Sequence, residues 1–213
     1  MRLLLAATLA LVASACSAES PTDSLSRATL VPGTALGPVE LGKTTLREFV
    51  DTYGPGHCAL FAGDDFCAIE LNYEFQQLSF LWEIDAQQAY ALNDPPITHA
   101  TRGIDKFLAA HPQFGTATLD SLSVQAKSEP SRTFYHGGID GNARLFAPLD
   151  SVMGYFQDPV QDAPDLVAGN REDNPPLRWT CASIGLTVYL ATPEEGGAPH
   201  IARMTIFQPG PRP

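Results

Sequence analysis

The chain of 213 residues carries 24 acidic and 13 basic side chains, a formal charge of −11, with 44% hydrophobic residues, which is the balance of a folded protein of one long or two short domains. So acidic a surface repels phosphate backbones and excludes nucleic acid as a partner. Beyond residue 15 no apolar run reaches the ~18 residues a membrane-spanning helix requires.

At the amino terminus, Arg2 precedes an apolar stretch from Leu3 to Ala13, long enough for the core of a signal peptide and too short for a span. Small residues converge at Ala13-Ser14-Ala15, and Cys16 follows. The pattern resembles a bacterial lipoprotein signal, which implies cleavage after Ala15, lipid attachment at Cys16 and a location in the cell envelope facing periplasm or exterior; plain secretion is the alternative. Residues 1–15 read as the signal peptide. Residues 16–35 read as a flexible tether, because Ser17 to Thr29 mixes Ser, Thr, Pro and charges without periodicity.

Gly37-Pro38-Val39-Glu40-Leu41-Gly42-Lys43-Thr44 matches the phosphate-binding string G-x-x-x-x-G-K-[ST]. A phosphate cradle needs a buried strand feeding its first glycine, yet Pro32 and Gly33 interrupt that stretch, and Glu40 brings negative charge. No nucleotide is expected, and no other cofactor. After it, Leu46, Phe49, Val50 and Tyr53 have the i, i+3, i+4, i+7 spacing of a short amphipathic helix, with Thr45-x-x-Glu48 as a capping box and Gly54-Pro55 as a stop.

Cys58 and Cys67 flank two apolar patches around a Gly-Asp turn, which reads as a β-hairpin with a cysteine on each arm and predicts a disulfide between them. The alternative is a metal site from His57, Cys58, Asp64, Asp65 and Cys67, but eight intervening residues are not a zinc-knuckle spacing. Cys181 sits alone in a strand-like run from Trp179 to Leu190 and reads as a buried thiol.

A repeat emerges further along. Leu149, Val152, Met153 and Phe156 restate the spacing of the first helix, and Leu78-Ser79-Phe80-Leu81 aligns with Leu186-Thr187-Val188-Tyr189. Leu119, Leu122 and Val124 align with Ile201, Met204 and Ile206 at a smaller offset. The drop places an insertion of about 26 residues between Asp85 and Phe114, where Ile104, Phe107, Leu108 and His111 mark another short helix. The predicted fold is therefore α+β: two tandem repeats, each a short amphipathic helix packed on an antiparallel sheet. The first spans 36–127 with its inserted helix, 128–142 form a junction, and 143–213 form the second.

Leu41-Gly42-Lys43-Thr44-Thr45-Leu46-Arg47-Glu48-Phe49-Val50 leading to Gly54-Pro55, with strands ending Gly185-Leu186-Thr187-Val188 and Ile206-Phe207-Gln208-Pro209, resembles the helix-plus-sheet repeats of bacterial envelope lipoproteins. Two such groups share this look: the β-lactamase inhibitor protein family and the small lipoproteins of outer-membrane barrel assembly. The resemblance implies a binding surface formed by sheets and their loops, and it carries over no functional residue.

Catalytic patterns are weak. His136-Gly137-Gly138 has the form of an esterase oxyanion loop, but the nucleophile elbow G-x-S-x-G is absent. The remaining histidines, His57, His99, His111 and His200, stand singly, without the H-x-x-x-H spacing of a metal-binding helix. The expected function is a non-catalytic, lipid-anchored envelope protein that binds a protein partner, with Tyr73, Phe80, Trp82 and Trp179 as candidate contacts or, equally, as core residues. The alternative is an exported hydrolase assembled from distant residues such as His136 and Asp140.

Overall fold

The computed structural model describes residues 20–62, 67–85, 87, 103–126, 135–139, 143–155, 160–162, 177–192 and 197–210. The chain is α+β, as expected. Its principal element is an eight-stranded antiparallel sheet built from β4 (His57–Ala62), β5 (Cys67–Tyr73), β6 (Leu78–Glu83), β7 (Leu119–Gln125), β8 (Val160–Asp162), β9 (Leu177–Cys181), β10 (Leu186–Ala191) and β11 (His200–Phe207). The spatial order is β4-β5-β6-β7-β11-β10-β9-β8. Two four-stranded meanders thus meet along a β7–β11 seam. The aligned segments take corresponding places, β6 and β10 being third in their meanders and β7 and β11 fourth.

Alternation along the strands decides which side chains face the helices. Leu78, Phe80 and Trp82 of β6 stand opposite Tyr73, Leu71 and Ile69 of β5, and all six are buried. The same face continues through Leu122 and Val124, Met204 and Ile206, then Leu186 and Val188.

Over the first meander lies helix α2 (Leu46–Tyr53), which starts where the capping box predicts. Thr45 Oγ1 accepts from the Glu48 amide at 3.3 Å, and Glu48 Oε2 accepts from the Thr45 amide at 3.1 Å. Phe49 drops from it into a ring cluster, with centroids 4.5 Å from Phe80, 5.0 Å from Trp82 and 4.8 Å from Tyr53. The inserted helix predicted around Ile104 is present as α3 (Ile104–Ala110), with Ile104 and Leu108 buried and Phe107 stacked on Phe114 of the following 3-10 turn. The helix expected near Val152 is a single turn, α4 (Asp150–Met153), with no side-chain cap. Phe156 lies outside the described residues.

The tether expected over 16–35 is corrected by the structure from Ser20 onward. Pro21–Leu25 form helix α1, and β1 (Leu30–Val31), β2 (Ala35–Leu36) and β3 (Val39–Glu40) form a small antiparallel sheet. Leu25, Leu30 and Leu36 are fully buried, so apolar burial holds a stretch whose composition reads as a linker. Part of that burial is against the junction. The amides of His136 and Gly137 donate to Ser26 O, the Leu30 amide donates to Gly138 O, and Tyr135 Oη donates to Ala28 O at 3.0 Å. A Cβ at Gly137 would collide with the Ala28 carbonyl oxygen, so a side chain there would force the two segments apart.

The predicted disulfide is also corrected. The β4–β5 hairpin forms, but its register puts Cys67 opposite Ala62 and Cys58 opposite Leu71. The two cysteines are four rungs apart, about 13 Å along the strands, against the ~7 Å between Cα atoms that a disulfide can bridge. Burial raises the pKa of the Cys67 thiol. Cys181 is a buried thiol whose Sγ lies 3.2 Å from Ser183 Oγ.

Candidate binding site on the open sheet face

The face of the sheet opposite the ring cluster is polar because its positions in register are polar. One rung runs His57, Asn72, Ser79, Ser123, Thr205, Thr187, Thr180 over seven consecutive strands. Cross-strand hydroxyl pairs join it, Ser123 to Thr205 at 2.8 Å and Thr180 to Thr187 at 3.1 Å. The next rung carries Gln125, Arg203, Tyr189 and Arg178.

Towards the β4–β7 side, these rungs line a cavity of about 410 Å³ bounded by His57, Glu70, Asn72, Glu74, Gln77, Ser79, Ser123, Gln125 and Arg203. Glu70 reaches along the floor and accepts hydrogen bonds from Ser79 Oγ and from Asn72 Nδ2. From the other side Arg203 folds back over β7, with Nη2 donating to Ser123 Oγ at 3.0 Å and the guanidinium lying 5.4 Å above the Tyr189 ring. Arg203 Nε is buried with no acceptor, and no carboxylate among the described residues is within ion-pair distance of this guanidinium.

Of the two places the sequence left open for its aromatics, partner contact or core, the structure takes the core. Tyr73, Phe80 and Trp82 belong to the core, Tyr73 with its hydroxyl donating to Gly54 O at 2.6 Å and its pKa pushed up by burial. Trp179 is only half-buried but packs against the core face. Among the described residues, the exposed large apolar side chains are Phe75 at 74%, Phe61 at 47% and Val31 at 43%. Phe75 belongs to the β5–β6 turn, whose Glu74 and Gln77 line the cavity. That turn is braced by Gln76 Nε2 donating to Asp23 Oδ1 of α1 at 2.9 Å and by the Gln125 amide donating to Gln77 O. Gln77 adopts a positive φ of 59°, a turn conformation rare outside glycine, which is held by this bracing. Apolar residues at turn tips break no pattern, so the sequence contains no signal for Phe75 beyond the turn itself.

The other sequence-derived sites are occupied by the fold's own bonds. In the phosphate-loop string, the amides of Lys43 and Thr44 donate to Glu40 O and that of Gly42 to Leu119 O, while Lys43 Nζ pairs with Glu40 at 2.5 Å. A phosphate would need those amides. The Gly137 amide of the oxyanion-like loop is likewise committed to Ser26 O. His136 is exposed, whereas Asp140, Asp64, Asp65 and Cys16 lie outside the described residues. Among the described residues no helix is long and apolar enough to cross a membrane. No protein-family model, no curated protein and no solved structure matches the chain.

Proposed function

We propose that this chain is an exported, lipid-anchored, non-catalytic envelope protein, built from two related α+β units, that binds another protein through its open sheet face and the adjoining loops. The observation that carries the reading is Phe75, an aromatic ring 74% exposed at the tip of a turn held by Asp23 and β7. An exposed aromatic on a rigid support is the economical form of a protein-binding anchor, since it loses little conformational freedom on docking. Phe61, 47% exposed on the edge strand β4, is a second exposed ring. The anchor at Cys16 rests on the leader pattern alone.

A photoreactive amino acid placed at position 75, in cells that produce the protein, should give one discrete protein adduct. The same probe at Asp51, exposed on α2, should give none. Equal labelling at both positions, or none at 75, would refute the reading. Independently, Cys16→Ser should move the protein from the membrane fraction to the soluble one. Wild-type protein already in the soluble fraction would refute the anchor.

A further inference from the structure

The cavity beside Phe75 has chemistry that a protein-docking surface does not require. Its floor pairs two hydroxyls across adjacent strands, Ser79 on β6 opposite Ser123 on β7, with Cβ atoms about 5 Å apart. Each hydroxyl holds a charge of opposite sign: Glu70 lies on Ser79, and Arg203 lies on Ser123. Both charges line the one cavity, and they do not close into an ion pair.

We propose that this cavity binds a small zwitterion, a free α-amino acid or dipeptide, with its carboxylate on the Arg203 guanidinium and its ammonium on Glu70. The guanidinium supplies a planar fork suited to a carboxylate, is held over the Tyr189 ring, and keeps a buried Nε donor without an acceptor. A carboxylate arriving in the cavity meets the one guanidinium among its lining residues. Opposite it, Glu70 uses its two bonds from Ser79 and Asn72 to stay in place and retains lone pairs for an ammonium.

Charge narrows the ligand class. A dicarboxylate or a phosphate would meet Glu70 and Glu74 together, whereas a simple amine would leave Arg203 unmatched. Both ends of a zwitterion are met. Asn72, Gln77 and Gln125 supply amide groups for the peptide link of a dipeptide, and a cavity of about 410 Å³ accommodates one.

The test uses the full mature chain, labelled with ¹⁵N, and three probes: L-alanyl-L-alanine, its N-acetyl form and its C-terminal amide. The free dipeptide should give saturable amide shifts at Ser79, Ser123 and Gln125, and each blocked form should bind at least about tenfold more weakly. Arg203→Gln should abolish the preference for the free dipeptide over the amide, and Glu70→Gln its preference over the N-acetyl form. No saturable shift with any probe up to about 10 mM would overturn the proposal. So would equal affinity for the free and amidated dipeptides, a result read on the wild-type protein even where a variant fails to fold. Phe75 adduct formation is unaffected by Arg203→Gln on this reading, so the two functions fail separately.

Discussion

The two meanders share a strand order and differ in what covers them. In the first, an eight-residue helix with a closed capping box delivers Phe49 onto Tyr73, Phe80 and Trp82. In the second, the fully buried facing residues are Leu186, Val188, Leu190, Ile201, Met204 and Ile206, joined by one half-buried ring, Trp179, and the helix over them is one uncapped turn that buries only Val152. A helix that short cannot stand on its own hydrogen bonds. The second meander therefore draws its order from the β7–β11 seam and the shared apolar cluster, while the first contains its own nucleus of large rings.

The largest expected effect comes from removing the centre of that nucleus. Phe49→Ala should cost about 3–5 kcal/mol, whereas Val152→Ala should cost only about 1.5 kcal/mol. Urea melts of the two variants compare the halves directly, and equal losses would break the asymmetry.

Next in size are the tyrosine ties. Tyr135 joins the junction to the N-terminal segment, and Tyr135→Phe, which leaves the Ala28 carbonyl without that donor, should cost about 1–2 kcal/mol at neutral pH. Burial raises the pKa of both Tyr135 and Tyr73 above the ordinary 10.0. The folded state therefore holds these protons more tightly than the unfolded chain. Their contribution is complete below pH 10 and is lost as pH climbs towards the raised folded values. Stability measured from about pH 8 to 11 should fall less steeply in Tyr135→Phe than in wild type.

A smaller loss, about 1 kcal/mol, is expected for Thr45→Ala, which opens the capping box of α2. Hydrogen bonds from Thr45 lower the pKa of Glu48. The cap is therefore intact above the ordinary carboxylate pKa and is lost as pH falls through the lowered value, so the difference from wild type should shrink in acid. A difference that grows in acid would contradict the cap. The smallest effect belongs to Lys43, whose ion pair with Glu40 is exposed. Lys43→Ala should change stability by about 0.5 kcal/mol or less, and Mg-ATP should leave the melting temperature of both proteins unchanged. A nucleotide-dependent rise that disappears in the variant would reinstate the phosphate-loop reading.

Local periodicity made the helices legible. The spacing of Leu46, Phe49 and Val50, and of Ile104 and Leu108, marks buried stripes that the structure places as read. The apolar runs aligned in the sequence are strands, β6 and β10 for one pair and β7 and β11 for the other. For Phe80, Trp82 and Tyr73 the sequence left partner contact and core burial both open, because nothing in it tells that α2 covers their face. Hairpin register depends on how many residues the turn takes up, which spacing between Cys58 and Cys67 does not reveal. The N-terminal strands have two residues each, too short for any period to show. The cavity draws on β4, β5, β6, β7 and β11, with His57 and Arg203 far apart in the chain, and no local motif connects such residues.

The bonds between the Ser26–Leu30 stretch and residues 135–139 have a mechanical meaning. If the chain is tethered at Cys16, any pull between membrane and bound partner enters the folded body on the N-terminal side of Ser20. The Ser26 carbonyl, the Leu30 amide and the Ala28 carbonyl all bond to the link between the two meanders. Tension is thus delivered to the middle of the chain's topology rather than to an edge strand. Under such a load these few bonds would share the force with the apolar burial of Leu25, Leu30 and Leu36.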